Sequence, residues 1–326
     1  MIVPSYRIND MRNLSESLEK YAAAVLFALA VVVAGVMPAS IAKAADRTDQ
    51  IEVSGQTRTY IVHVPEGSAP QGGFSLMLIF HGGGMQGKGM QQLADMDAVA
   101  DQRRFITVYP NGIDKHWNDG RPTIKNPQDD VGFVLALINR MQAQYPIARN
   151  RIVAAGFSNG ALFVERLGCE LAGRIAGIAA VAGTLPDAAG LSCQPPSSLA
   201  VMQIDGTADP IMPFKGGPVA DFGGKGEGGH VRPVAETVGF WARHNGCETP
   251  GVQQPLAPHA LIDQTRVIQT SFSGCARGGG VVLLTVVGGG HAWPGGGQYA
   301  PRLLIGAASR QINASEKIAD FLLSRP

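Results

Sequence analysis

The sequence predicts an α/β fold with a mainly parallel central sheet covered by helices on both faces. Three observations predict it. Apolar runs without alternation, such as residues 75–80 (SLMLIF) and 105–109 (FITVY), suit strands buried on both sides. Segments between such runs carry apolar residues at helical spacing, as Val131, Val134, Leu135, Ile138 and Met141 do. Strand-like and helix-like segments also alternate along the chain, which implies right-handed crossovers.

The first element is not part of that fold. Residues 21–37 are apolar and uncharged, Arg7, Arg12 and Lys20 precede them, and Ala42-Lys43-Ala44 has small residues at signal-peptidase spacing. Residues 1–44 therefore read as a secretory signal peptide cut after Ala44, with Met11 as an alternative start. The remaining 282 residues hold 23 basic and 23 acidic side chains and suffice for a single large α/β domain, residues 45–326.

Residues 51–53 and 59–64 read as an opening hairpin turned at Ser54-Gly55. Buried strands follow at 75–80 and 105–109, and Asp129 and Asp130 open a helix running to about Gln144, both read as N-capping residues. Residues 152–155 form a short strand that leads at once into a helix over 161–171. Further strands are expected at 178–181, 200–204 and 281–287, and helices at 233–245 (holding Trp241 in the core) and 312–323. The glycine-rich stretch 213–230 reads as a surface excursion or as a wall or lid over a pocket.

Composition excludes several classes. The whole chain has 27 basic against 26 acidic residues, so no nucleic-acid partner is expected. Its 42 glycines follow no collagen period, and after signal cleavage no second apolar run would hold it in a membrane. Four cysteines in an exported chain favour two disulfides. Three pairings are open, and the cheapest local loops favour Cys169–Cys193 with Cys247–Cys275. CxxC, HExxH and paired-histidine spacings are absent, so neither metal nor cofactor is expected.

The chemistry concentrates at strand ends. Gly156-Phe157-Ser158-Asn159-Gly160 matches G-x-S-x-G between a strand and a helix, where small residues allow the sharp turn that thrusts Ser158 outward. A serine needs a base, and His291 lies in a glycine-rich loop after the strand 281–287. The acid belongs after the strand 200–204, where Asp205 and Asp209 both stand. Asp209 has the greater reach and is the favoured candidate. The order Ser158, Asp209, His291 is the nucleophile–acid–base order of the α/β-hydrolase fold. Oxyanion donors are expected from the backbone of Asn159 and of Gly83 in Phe80-His81-Gly82-Gly83-Gly84. That loop does not complete GxxxxGK[ST], because Gly89 follows Lys88, which weakens a nucleotide-binding reading. Twenty-three glycines gather in residues 82–89, 156–160, 213–230 and 278–297, all expected on or beside the catalytic edge.

The segments FHGGG, YPNG…HWNDGR, DDVGF, AAGFSNGA, DGTADPIMPF, FWARHNGC and GGGHAWPG occur in one order across nearly all of residues 50–326. In this the chain resembles the secreted polyhydroxybutyrate depolymerase-like esterases, a family similar to single-domain feruloyl and acetylxylan esterases. The resemblance implies a serine-esterase mechanism, the triad Ser158, Asp209 and His291, disulfide-linked cysteines, and pocket roles for Trp117 and Trp293. The chain departs from its relatives at Asp205-Gly206-Thr207, where they commonly have His-Gly-Thr. The expected substrate is a 3-hydroxybutyrate-type ester or oligomer; solid polymer is less expected, because no adsorption domain follows the last helix. The alternative is a feruloyl or acetyl ester on plant polysaccharide. A non-catalytic binding protein on the same scaffold is a third reading, opposed by the intact triad.

Overall fold

The structure, a computed structural model, describes residues 44–187, 193–221, 226–276 and 278–324. The expected signal peptide, residues 1–44, lies outside the described residues except for Ala44. The opening hairpin pairs β1 (Ala45–Val53) with β2 (Gln56–Val64), and both turn residues, Ser54 and Gly55, have positive φ. That is the primed two-residue turn whose twist matches the strands.

Next come β3 (Phe74–Phe80), α1 (Gly87–Ala94), α2 (Met96–Arg103), β4 (Ile106–Pro110), α3 (Asp130–Gln144), β5 (Ile147–Phe157), α4 (Asn159–Leu171), β6 (Gly177–Val181) and β7 (Ala200–Gly206). The two-residue strands β8 (Gly217–Pro218) and β9 (His230–Val231) pair with each other. Then follow α5 (Val234–His244), β10 (Val252–Pro255), β11 (Arg266–Phe272), β12 (Gly280–Val287), α6 (Arg302–Ile305) and α7 (Ala314–Leu323).

Ten strands form one sheet in the order β1-β2-β4-β3-β5-β6-β7-β12-β11-β10. The six from β4 to β12 run parallel, and an antiparallel pair closes each side. Both faces are covered, which explains the unbroken apolar runs. Leu76, Leu78 and Phe80 of β3 pack on one face with α3, α4 and α5, while Met77 and Ile79 pack on the other with α1, α2 and α7.

Several local expectations change. The polar strand β10 and the strand β11 were not foreseen, because an edge strand exposed along its length carries no apolar run. Nor were α1 and α2: two glycines weaken the helical pattern of α1, and burial of Met90 and Leu93 compensates. Asp129 does cap α3, accepting from Gly132 N at 2.8 Å. Asp130 does not. It is buried, accepts from Arg58 Nη2 at 2.6 Å and Asn118 N at 2.8 Å, and that guanidinium lies 4.0 Å from the Phe133 ring centroid. Glycines 278–280 also depart from expectation, since they precede or open β12 at the end of the sheet opposite the strand termini that carry Ser158 and His291. The cysteines pair as Cys169–Cys193 and Cys247–Cys275.

One polar cluster ties the hairpin to α2. His63 is buried, with Nδ1 2.7 Å from Asp46 Oδ1 and Nε2 3.0 Å from Asp101 Oδ1, while Asp97 Oδ2 lies 4.0 Å away. Burial alone would lower the pKa of this imidazole. The hydrogen bonds to Asp46 and Asp101 and the charges of Asp97 and Asp101 outweigh it and raise the pKa above 6.5. A histidine pKa raised by folding adds stability that is complete below the unfolded value and is lost as pH rises through the folded one. His63→Gln should therefore cost about 1–2 kcal/mol near pH 6, the lower end for charge-assisted bonds because Asp46 and Asp101 are half-exposed. Thermal melts should show the gap to wild type narrowing toward about pH 9; a constant gap would refute the account.

Candidate active site

The site is assembled at the C-terminal ends of the parallel strands. Between β5 and α4, Ser158 adopts φ 56° and ψ −121°. This conformation costs on the order of 1–3 kcal/mol and persists only where surrounding structure enforces it. Enforcement is steric. A Cβ on Gly156 would lie 2.1 Å from Gly160 O, and one on Gly160 would lie 2.4 Å from Phe80 O. The turn is thereby pressed against the end of β3, and Ser158 N donates to Val181 O at 3.0 Å on the other side.

His291 and Ser158 line one cavity of about 370 Å³. The Asp209 carboxylate is held on both oxygens. Oδ1 accepts from Ile211 N at 2.7 Å and Met212 N at 2.8 Å, and Oδ2 lies 2.8 Å from His291 Nδ1. A carboxylate oxygen accepts, so Nδ1 carries the hydrogen and Nε2 is left with a lone pair. The loops bearing the two residues are stitched together, with Ala208 N donating to Gly289 O at 2.9 Å.

Gly83 and Asn159 also line the cavity. The amides of Gly84 and Met85 are spent on Lys115 O and Gly82 O. Asn159, at the first position of α4, has an amide with no acceptor inside the helix. Its side chain is fully engaged instead: Oδ1 accepts from Trp117 N at 2.8 Å, and Nδ2 donates to Asp119 Oδ2 at 2.7 Å. His81, beneath this loop, faces Gly82 O with Nδ1 and accepts from Gly112 N with Nε2 at 3.0 Å. Burial pulls its pKa down to about 4, so it is a neutral fastener of the oxyanion-type loop.

Trp117 and Trp293 do not line this cavity, contrary to expectation. Trp117 is fully buried, donates from Nε1 to His81 O at 3.0 Å, and stacks on Phe163 with centroids 5.3 Å apart. Trp293 is equally buried and donates to Ser315 Oγ at 3.0 Å. Both prop up the loops from beneath, because each indole finds apolar cover and an internal acceptor there. The walls come from residues that sequence reasoning passed over: Met85, Phe157, Ile211, Leu304 and, on the polar side, His116. Single apolar residues in loops carry no periodic signal. His116 lies in a loop, not directly at an expected strand end, so nothing in its local sequence marks it. The stretch 213–230 does supply wall residues, Val219 and Ala220 among them; positions 222–225 lie outside the described residues.

Asp205 is a different carboxyl from Asp209. It ends β7, is buried, and accepts from Gly183 N at 3.1 Å through Oδ1. Its Oδ2, Gln203 Oε1 and Glu165 Oε1 are buried acceptors without donors among the described residues. Burial, with a further contribution from the Asp209 charge, pushes the Asp205 pKa up to about 8, and burial does the same for Glu165. At neutral pH each of these two carboxyls therefore holds its proton.

Comparisons with known proteins bear on the fold and the reaction class. A family model described as phospholipase/carboxylesterase matches residues 68–221. The chain is 31% identical over 295 residues to a protein named as an esterase, NocK, from Nocardia uniformis subsp. tsuyamanensis, covering 87% of this chain and 84% of that one. It is 24% identical over 226 residues to a protein named as feruloyl esterase C from Aspergillus terreus, covering 68% of this chain and 72% of that one. Among solved structures, the acetyl xylan esterase from Aspergillus awamori matches with a TM-score of 0.54 and 13% identity, over 84% of this chain and 98% of that one. The fold is that of the α/β-hydrolases.

The protonated Asp205 has a thermodynamic consequence. A carboxyl whose pKa rises on folding binds a proton the unfolded chain has released, so stability falls as pH rises from 3.8 to about 8. Asp205→Asn keeps the acceptor for Gly183 N and removes that dependence. Its melting temperature should gain on wild type by about 2 °C or more between about pH 5 and pH 8. A difference that does not grow with pH would refute a neutral Asp205.

Proposed function

Because the chain belongs to the phospholipase/carboxylesterase family, we propose that it is an exported carboxylic ester hydrolase in which Ser158 is the nucleophile, His291 the general base and Asp209 its support. The observation that carries the reading is the 2.8 Å contact between His291 Nδ1 and the doubly anchored Asp209, opening on the same cavity as the strained Ser158. His291 Nε2 takes the Ser158 hydroxyl proton as Oγ attacks the ester carbonyl. The developing oxyanion accepts from Gly83 N–H and Asn159 N–H, and the alcohol leaves with the proton returned by His291. Water, activated by the same imidazole, then frees Ser158. Asp209 keeps the imidazole in the Nδ1–H form and stabilises it once protonated.

The preferred substrates are 3-hydroxybutyrate-type esters or oligomers, in keeping with the motif pattern. Feruloyl or acetyl esters of plant polysaccharide are the second reading, favoured by the likeness to a protein named as feruloyl esterase C. Two disulfides support export, as does the expected signal peptide. Among the described residues, no helix is long and apolar enough to cross a membrane.

A fluorophosphonate probe should label the wild type at Ser158 and leave Ser158→Ala unlabelled; equal labelling would overturn the assignment. Asp209→Asn should lower kcat on p-nitrophenyl acetate by roughly 10³- to 10⁴-fold with a small change in KM, whereas a loss below about tenfold would remove Asp209 from the triad. Comparing kcat/KM on hydroxybutyrate dimers and methyl ferulate separates the two substrate readings.

A further inference from the structure

Beside the catalytic cavity lies a second compartment of about 250 Å³, and His116 and Glu227 line both. The two differ in chemistry. Around Ser158 the walls are largely apolar, whereas the second compartment sets Asp114, Lys125 and Asn126 among Ile113, Trp117 and Ile124. We propose that this compartment binds the hydroxylated part of the ester substrate, with His116 Nε2 accepting a hydrogen bond from a neutral hydroxyl next to the scissile ester.

The polarity of His116 follows from its partner. Nδ1 lies 3.0 Å from Asp114 O, and a carbonyl oxygen only accepts, so in the neutral ring Nδ1 carries the hydrogen and Nε2 presents a lone pair. Its place follows from Gly83, where a Cβ would fall 2.9 Å from Nε2. The acceptor therefore sits against the same loop that borders the reacting carbonyl, and the missing side chain at position 83 makes room for it.

Neighbouring groups set the class of ligand. The cations are engaged: Arg121 Nη2 bonds Asp119 Oδ2 at 2.7 Å, and Lys125 Nζ donates to Gly226 O at 2.8 Å. Glu227 Oε2 accepts from Lys125 N at 2.7 Å, and Asp114 Oδ2 accepts from Asn126 Nδ2 at 2.6 Å. The compartment thus presents a histidine lone pair and two hydrogen-bonded carboxylates against the single Lys125 ammonium. Such a lining suits hydroxyl donors and disfavours a free carboxylate. A 3-hydroxyacyl group and a sugar alcohol both carry that chemistry. The inference rests on the esterase reading and deepens it.

The test compares ratios, so that a general loss of activity cancels. Wild type should favour methyl 3-hydroxybutyrate over methyl butyrate, or an acetylated xyloside over ethyl acetate, in kcat/KM. The arm that shows the preference identifies the source of the hydroxyl. His116→Phe, which removes the acceptor, should reduce that ratio by about tenfold, the effect of one lost hydrogen bond, and His116→Gln should recover part of it. A ratio unchanged by His116→Phe in both arms would overturn the proposal. Failure of wild type to hydrolyse any of the four esters counts against the esterase reading itself. The compartment is then judged on Ser158→Ala protein by ligand-observed NMR. Tighter binding of methyl 3-hydroxybutyrate or the xyloside than of its plain counterpart supports the proposal, and equal binding refutes it.

Discussion

The close approach of backbone to backbone at Gly156 and Gly160 is the constraint on which the rest of the site depends. Three strands and a helix meet there: β5 ends, α4 begins, the carbonyls of Phe80 and His81 press from β3, and Val181 of β6 receives the Ser158 amide. No side chain fits between these segments, so Ser158 is held in a conformation it would not choose. The same contact sets the spacing between the serine and the loop Gly82–Gly83–Gly84. Reactive hydroxyl and amide donors are thereby fixed by one packing event, and the stability of the sheet is drawn on to hold a local strain.

A second layer transmits that order outward. Asn159 is gripped by the backbone of Trp117 and by Asp119, whose carboxylate also pairs with Arg121, and Arg121, itself in the cavity wall, reaches the backbone of Gly228. Trp117 in turn is stacked on Phe163 of α4 and hydrogen-bonded to His81. The segment His116 to Arg121 therefore joins the serine turn, the glycine loop and the wall. Its charges are neutralised internally, in a region too dry to leave them unpaired.

Legibility in the sequence followed the range of the interaction involved. Ser158, Asp209 and His291 could be proposed together because each lies just past a strand, where local pattern indicates both the element and the place its chain turns. The preference for Asp209 over Asp205 came from reach along the chain, and the 2.8 Å contact to His291 is its structural counterpart. Trp293 and Asp130 were misread for a common reason, whereas Trp117 lines the second compartment and not the cavity around Ser158. Whether an indole faces a cleft or a core, and whether a carboxylate caps a helix or meets an arginine 72 residues away, depends on contacts that no local window contains. His116 was passed over because its acceptor nitrogen gains meaning only from Gly83, distant in sequence.

The outermost strands carry a consequence for self-association. β1 (ADRTDQIEV) bears Asp46, Arg47, Asp49 and Glu52, and β10 (VQQP) is short and ends in Pro255. Charge clustered on one margin and a proline that cannot donate on the other both discourage a neighbouring molecule from extending the sheet. The apolar parallel strands are kept inside these two guards. A sheet bounded this way resists fibrillar self-association through either margin.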